Sequence, residues 1–154
     1  MTGETDKRTA DEDEALSLKL LVVLSKAYKS VMDIAAKDVR RHGLSLSEFG
    51  ILEVLYAKGR IPIQQIGGKV LVTSGTMTYN IDKLADKGLV KRSPCADDRR
   101  VVHAELTEDG RALLDRIFPL HAGGMSEAMR GLTLEQKRQT IELLKSLGKG
   151  ARSS

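Results

Sequence analysis

From Leu16 to about Arg41 the chain contains neither proline nor glycine, and no other feature constrains its fold as strongly. Leu18, Leu20, Leu21, Val22, Val23, Leu24, Ala27, Tyr28, Val31, Met32, Ile34, Ala35 and Val39 recur at helical spacing, and near the start they encircle the axis rather than line one side. Such a helix must bury more than one face. A chain of 154 residues amounts to one domain and has little surface of its own to spare, so the second covering surface is expected from another subunit. Lys19 and Lys26 interrupt a run already too short to span a bilayer, and no membrane partner is expected.

Only five residues are aromatic (Tyr28, Phe49, Tyr56, Tyr79 and Phe118), so the core must be aliphatic. The composition excludes collagen, a disulfide scaffold and a wholly disordered chain. Cys95 is the only cysteine, which rules out an internal disulfide, and the polar, acidic start does not resemble a secretory signal. A cytoplasmic location is expected. Residues 1–14 read as a disordered acidic leader, 15–148 as the folded domain and 149–154 as a flexible tail.

The net charge of +4 says little until it is followed along the chain. The first fourteen residues hold six acids and two bases, which leaves the remainder at +8. Between positions 58 and 103 there are nine bases and four acids, a surplus that suits a polyanion.

Past the long helix, His42-Gly43 is a stop, and Ser45-Leu46-Ser47-Glu48 has the capping-box form that opens a second helix running to about Lys58. Pro62 opens a short third helix carrying Ile63, Ile66 and Val70 on one stripe, weakened by Gly67 and Gly68. After a turn over Leu71 to Ser74, a fourth helix is predicted, with Thr73 or Ser74 as its N-cap, Met77, Ile81 and Leu84 as its buried stripe, and Gly88 as its left-handed stop. Its opposite face holds Gly75, Thr76, Tyr79, Asp82, Lys83 and Asp86. Two extended runs follow, Val90 to Ser93 and Val101 to Leu106, the second alternating apolar and polar as a half-buried strand does. The seven residues between them form a hairpin tip. Thr107 caps a further helix, which Pro119 is expected to kink and Gly123-Gly124 to interrupt, and Thr133-x-x-Gln136 caps the last one, with Leu134, Ile141, Leu144 and Leu147 on its stripe and Gly148 past its end.

This order predicts a mainly α fold: a winged helix-turn-helix lobe over about 45–107 with a two-stranded β wing, flanked by dimerisation helices over about 16–42 and 108–147. The fourth helix fits a major groove about 12 Å wide, where its N-terminal N–H groups face phosphates. Small Ser74, Gly75 and Thr76 permit close approach, and Tyr79, Asn80 and Lys83 are long enough to touch base edges or phosphate. At the hairpin tip Arg99 and Arg100 are placed to reach a neighbouring minor groove, with Asp98 holding a guanidinium in one orientation.

Three stretches, Leu44 to Phe49, Gly75 to Thr78 with Leu84 to Val90, and Asp98-Arg99-Arg100 with Leu106 to Gly110, resemble the MarR family of bacterial transcription regulators. The resemblance covers roughly residues 16–147. It implies a homodimer held by the first and last helices, a pseudo-palindromic double-stranded operator, recognition by Ser74, Thr76, Thr78, Tyr79 and Lys83, and minor-groove insertion of Arg100 oriented by Asp98. Tyr79 stands where many members have arginine, and Asn80 where an apolar residue is usual. The string from Ser74 to Leu84 is similar to a branch that responds to quinones and related aromatic compounds, which implies a repressor released by a small aromatic, phenolic or quinone-type ligand. Tyr28, His42, Phe49 and Tyr56 are the candidate lining residues for such a ligand.

Family members also respond to cysteine oxidation, and Cys95 lies near Arg92 and Arg99 in sequence, so a redox-sensing repressor is the alternative. The family's redox cysteines usually sit near the first helix, and Cys95 is read as structural. No cofactor is expected, and His42, His103 and His121 lack metal-ligand spacing with Cys95. An enzyme built on Cys95, His103 and Asp97 would sit on a hairpin tip without an enclosed cleft. A winged helix that serves only as a protein-interaction scaffold is the remaining rival.

Overall fold

A computed structural model describes residues 2–70 and 76–154. Helix α1 (Thr2–Arg40) is followed by α2 (Leu46–Lys58), a two-residue strand β1 (Ile61–Pro62), a one-turn helix α3 (Ile63–Ile66), α4 (Met77–Asp86), strands β2 (Val90–Pro94) and β3 (Val102–Leu106), and helices α5 (Glu108–Ala128) and α6 (Leu134–Arg152). The core lies where α2, α3, α4 and the sheet meet the C-terminal part of α1 and the N-terminal part of α5. There Leu52, Leu55, Ile66, Ile81, Leu84, Ala104, Leu114 and Ile117 are fully shielded from water. Aliphatic packing of this kind supplies the lobe's stability, at roughly 1.5–3 kcal/mol for each fully buried side chain.

The second helix starts as its sequence dictates. The Ser45 hydroxyl accepts from the Glu48 N–H, and the Glu48 carboxylate accepts from the Ser45 N–H, so two orphan donors are satisfied at once. Thr107 does more than cap α5. Its hydroxyl accepts from the Gly110 N–H and donates to the Gly88 carbonyl, and its own N–H reaches the Leu89 carbonyl, which joins the end of α4 to the start of α5. This closeness explains Gly110: a Cβ there would lie 2.1 Å from the Leu89 carbonyl oxygen. Gly88 terminates α4 with φ +74°, a conformation that favours glycine.

Several expectations need correction. Helix α1 begins at Thr2, so residues 2–14 are helical where a disordered leader is expected. Ala10, Glu4, Glu12 and Glu14 are good or tolerated helix formers, and a run of acids near a helix N-terminus complements its dipole. Helix α6 runs to Arg152, past Gly148 and through most of the expected flexible tail, because an interior glycine weakens a helix by only about 1 kcal/mol. Helix α5 continues through Pro119 and Gly123-Gly124 without interruption. The sheet has three strands in the order β1-β3-β2, since Ile61 and Pro62 pair antiparallel with Ala104 and His103. Proline is tolerated in β1 because β1 is an edge strand. The wing hairpin itself is as expected, with Val90 opposite Leu106 and Pro94 opposite Val102.

Candidate nucleic-acid interface

The turn expected over Leu71 to Ser74 lies outside the described residues, as do the two predicted contact residues Ser74 and Gly75. The recognition helix is shorter than its sequence suggests. Its N-cap is Thr76, not Thr73 or Ser74, and the Thr76 hydroxyl accepts from the Tyr79 N–H at 3.2 Å. Capping uses one lone pair and leaves the hydroxyl proton free to reach a phosphate oxygen. Ile81 and Leu84 are fully buried, with Met77 packed at the edge of the core, and this stripe turns Thr78, Tyr79 and Lys83 outward. Asn80 turns inward instead. It is buried, and its amide donates to the Thr76 carbonyl, so the contact to a base edge expected of it is not available in this arrangement.

Tyr79 is 56% exposed, and the Lys83 ammonium stands over its ring at 5.4 Å from the centroid. A cation held over an aromatic face gives α4 a preformed pair that presents a flat ring and a positive charge side by side. Asp82, on the same helix, hydrogen-bonds Arg92 of β2, which fixes the wing to the recognition helix. The charge of Arg92 is thereby committed to Asp82.

At the wing tip Arg100 is braced from two directions. Its backbone N–H donates to Asp98 Oδ1 at 3.0 Å, and its guanidinium reaches both carboxylate oxygens, Nε to Oδ1 at 3.3 Å and one terminal nitrogen to Oδ2 at 3.5 Å. The Arg100 backbone N–H and then its guanidinium hold the Asp98 carboxyl below its ordinary value. Arg100 remains 91% exposed as a side chain, so it is oriented yet free to enter a groove. Arg99 beside it is exposed. Thr76, Thr78, Tyr79, Lys83, Asp98, Arg99 and Arg100 thus come from one helix and one hairpin tip tied together by the Asp82–Arg92 bond.

A second tie sets α4 against the rest of the protein. The Lys87 ammonium donates to the Gly43 carbonyl at 3.0 Å and to Glu48 at 2.6 Å, so the end of α4 is fastened to the α1–α2 junction. Burial pushes the Glu48 carboxyl up, but the hydrogen bonds from Lys87 and Ser45 outweigh it, and the group lies below its ordinary value.

A cavity of about 210 Å³ lies between α1, α2 and α5. Of the four residues expected to line such a space only Phe49 does so, together with Val31, Met32, Glu53, His121 and Met125. Tyr28 is exposed on α1, and His42 sits in the turn after it. Tyr56 packs against Phe118 and donates to Asp115. His121 is the group that the sequence reading missed. Its Nδ1 lies 2.7 Å from Asp38 of α1, and its ring stands 4.5 Å from that of Phe49. Expecting α5 to break at Gly123-Gly124 conceals the fact that His121 and Met125 are one turn apart on the same helix. Cys95 is half-buried in a cleft with Arg60, Asp97 and His103, not with Arg92 or Arg99. Among the described residues no cluster of His, Cys, Asp and Glu is arranged to hold a metal, and no helix is long and apolar enough to cross a membrane.

Residues 44–102, which contain α4 and the wing with the exposed residues described on them, match the model of the MarR family. The chain is 46% identical over 136 residues to the HTH-type transcriptional regulator MhqR of Bacillus subtilis, covering 88% of this chain and 94% of that one. The chain belongs to the MarR family. It is also 39% identical to the HTH-type transcriptional regulator YkoM of Bacillus subtilis, with 90% of each chain covered. Among solved structures, the MarR family regulator Sco3205 of Streptomyces coelicolor in complex with DNA shares its fold, with a TM-score of 0.77 at 23% identity over 90% of this chain and 88% of that one. As a MarR family member the protein is a DNA-binding transcriptional regulator.

Proposed function

We propose that the protein is a homodimeric repressor that binds a pseudo-palindromic double-stranded operator and leaves it when a small aromatic, phenolic or quinone-type ligand binds. The observation that carries the DNA reading is the exposed, braced Arg100 at the tip of a wing fastened to the exposed face of α4. In this reading Tyr79, Thr78 and Lys83 face the major groove and Thr76 a phosphate, and Arg100 enters the adjacent minor groove, where the narrow walls concentrate negative potential. Two such units about 34 Å apart then meet successive turns of one face of the duplex.

The cavity supports the ligand half of the proposal. Engineered apolar cavities of about 150 Å³ accept benzene, and this one offers about 210 Å³ lined mostly by Val31, Met32, Phe49, Met125 and similar residues. Glu53 and the His121–Asp38 pair are polar groups against which a hydroxyl or carbonyl of such a ligand can be set. The site touches α1 and α2, and Lys87 fastens the same junction to α4, so a ligand that moves α1 against α2 also moves the recognition helix.

Gel-shift titration on DNA upstream of the protein's own coding sequence tests both halves. Specific binding that weakens steeply between about 50 and about 200 mM salt is expected, because neutralised phosphates release counterions. A flat salt response would sink the DNA reading. Addition of single-ring phenols and quinones is expected to free the DNA, and a complex that survives the whole panel would contradict the ligand reading.

A further inference from the structure

The first turn of α4 is assembled on one residue. Thr76 accepts the Tyr79 N–H on its hydroxyl, and its carbonyl accepts twice from Asn80, the backbone N–H at 3.2 Å and the side-chain amide at 3.3 Å. Asn80 is 5% exposed, and Ile81 and Leu84 beside it are fully buried. An apolar side chain in that place would need no partner, whereas a buried amide destabilises unless it is hydrogen-bonded. Stability alone therefore does not account for it.

Two other helices show what the start of α4 lacks. In α2 the Glu48 carboxylate accepts from the Ser45 N–H, and in α6 the Gln136 side chain accepts from the Thr133 N–H, each from the third helical position. In α4 that third position belongs to Tyr79, which is exposed beside Lys83. A ring turned outward cannot close the reciprocal cap. The residue ahead of the cap is Gly75, which has no side chain to staple the entry against the fourth helical position. That fourth position is Asn80, and its amide holds the cap from inside the lobe, at the Thr76 carbonyl.

We propose that Asn80 is a positioning residue for operator recognition, which holds the Thr76 carbonyl so that the Thr76 hydroxyl and the Tyr79 ring meet DNA already in place. The inference rests on the reading of α4 as the operator-facing helix and adds the device that keeps its first turn ordered. Helix ends fray, and α4 has only ten residues. Once the amide is removed, the cap depends on bonds to the backbone N–H groups of Tyr79 and residue 80, which lie within the turn that frays. Order lost in the free protein must then be restored on the DNA, and affinity for the operator falls accordingly. The amide is neutral, so the attraction of the lobe's cations for phosphate is untouched by its loss. Base reading and phosphate attraction thus separate at one buried residue.

A pair of shape-matched variants tests this. Asn80→Val removes the donor, and Asn80→Thr puts a hydroxyl where it can donate to the carbonyl four residues back. Gel shifts on DNA upstream of the protein's own coding sequence and on a random-sequence duplex of equal length are read beside urea unfolding. Asn80→Val is expected to bind the upstream DNA about tenfold more weakly, the cost of ordering about one residue again. Its binding to the random duplex is expected to stay within about twofold of wild type, because every charge is kept, and its urea midpoint is expected not to fall. Asn80→Thr is expected to recover most of the loss. Hydrogen exchange at the Tyr79 N–H is expected to quicken in Asn80→Val and to return toward the wild-type rate in Asn80→Thr. Upstream binding unchanged in Asn80→Val, a loss shared equally by both duplexes, or a loss that Asn80→Thr does not rescue would overturn the positioning role. Tyr79→Ala is the control on the reading beneath it: upstream binding that ignores that substitution would contradict the operator-facing helix itself, and the positioning role with it.

Discussion

The two ends of α1 differ sharply. Its last turns, with Ala35 and Val39, are buried against α2 and α5, and they belong to a core that holds several residues wholly out of water. Its first seven turns, like all of α6, carry a comparable density of leucine and valine, yet almost nothing is covered. One half of the chain finds its partners within itself. The other leaves the same kind of surface uncovered among the described residues. Under the proposed homodimer a single substitution means different things in the two regions: in the lobe it reports on folding, and on the bare helices on assembly.

The largest effect expected of any change is in the lobe. Leu84→Ala empties a fully buried site where α4 meets the sheet, and a loss of about 2–5 kcal/mol in urea unfolding is expected. Leu144→Ala on α6 is its counterpart, and it is expected to leave the unfolding of the lobe unchanged while raising the dimer dissociation constant in sedimentation. If both substitutions lowered lobe stability equally, the division between the two regions would fail.

Next comes Lys87→Met, which strands a buried Glu48. The ammonium is partly exposed, so the expected loss is nearer about 1–3 kcal/mol than the full penalty for breaking a buried pair. The sign of its pH dependence follows from the direction of the Glu48 shift. A carboxyl held below its ordinary value of 4.5 adds stability that is fully present above that value and is lost as pH falls through the folded value. Wild-type stability is expected to decline on that acid side, and the decline is expected to shrink in Lys87→Met. Chemical denaturation between about pH 3 and about pH 6 reads both.

Arg100→Ala touches neither fold nor assembly. It is expected to weaken specific DNA binding by about 1–3 kcal/mol with unchanged dimer affinity. The smallest expected effect belongs to Cys95→Ser, which should leave DNA binding and its response to quinone or peroxide as they are. Loss of the response on that substitution would move sensing from the α1–α2–α5 cavity to the wing.

Much of the lobe was legible in the residues alone. The Ser45 and Glu48 box, the Thr107 cap, the Met77-Ile81-Leu84 stripe and the alternation over Val102 to Leu106 are local signals, and each leads to its element directly. What escaped depends on contacts distant in sequence. β1 is two residues long and exists only because β3 offers it an edge. The burial of Asn80 depends on the turn of α4 set by Thr76. Gly110 belongs to a recognisable string, but its reason, the nearby Leu89 carbonyl, is visible only in three dimensions. The candidate contacts on α4 and the wing were easier to foresee than the cavity, because a polar helix face and a charged tip are sequence patterns. A space between three helices is not, and Tyr28, His42 and Tyr56, aromatic or polar and near the right elements, do not line it. His121 and Met125 line it because α5 continues through Gly123-Gly124, where the sequence predicts an interruption.

Hydroxyl-radical footprinting of the wild type and Arg100→Ala on one operator fragment tests the central claim most directly. Two symmetric protected half-sites about one helical turn apart are expected, with minor-groove protection at the flanks that disappears in Arg100→Ala while the centre stays protected. A single asymmetric footprint, or flanks equally protected without Arg100, would contradict it.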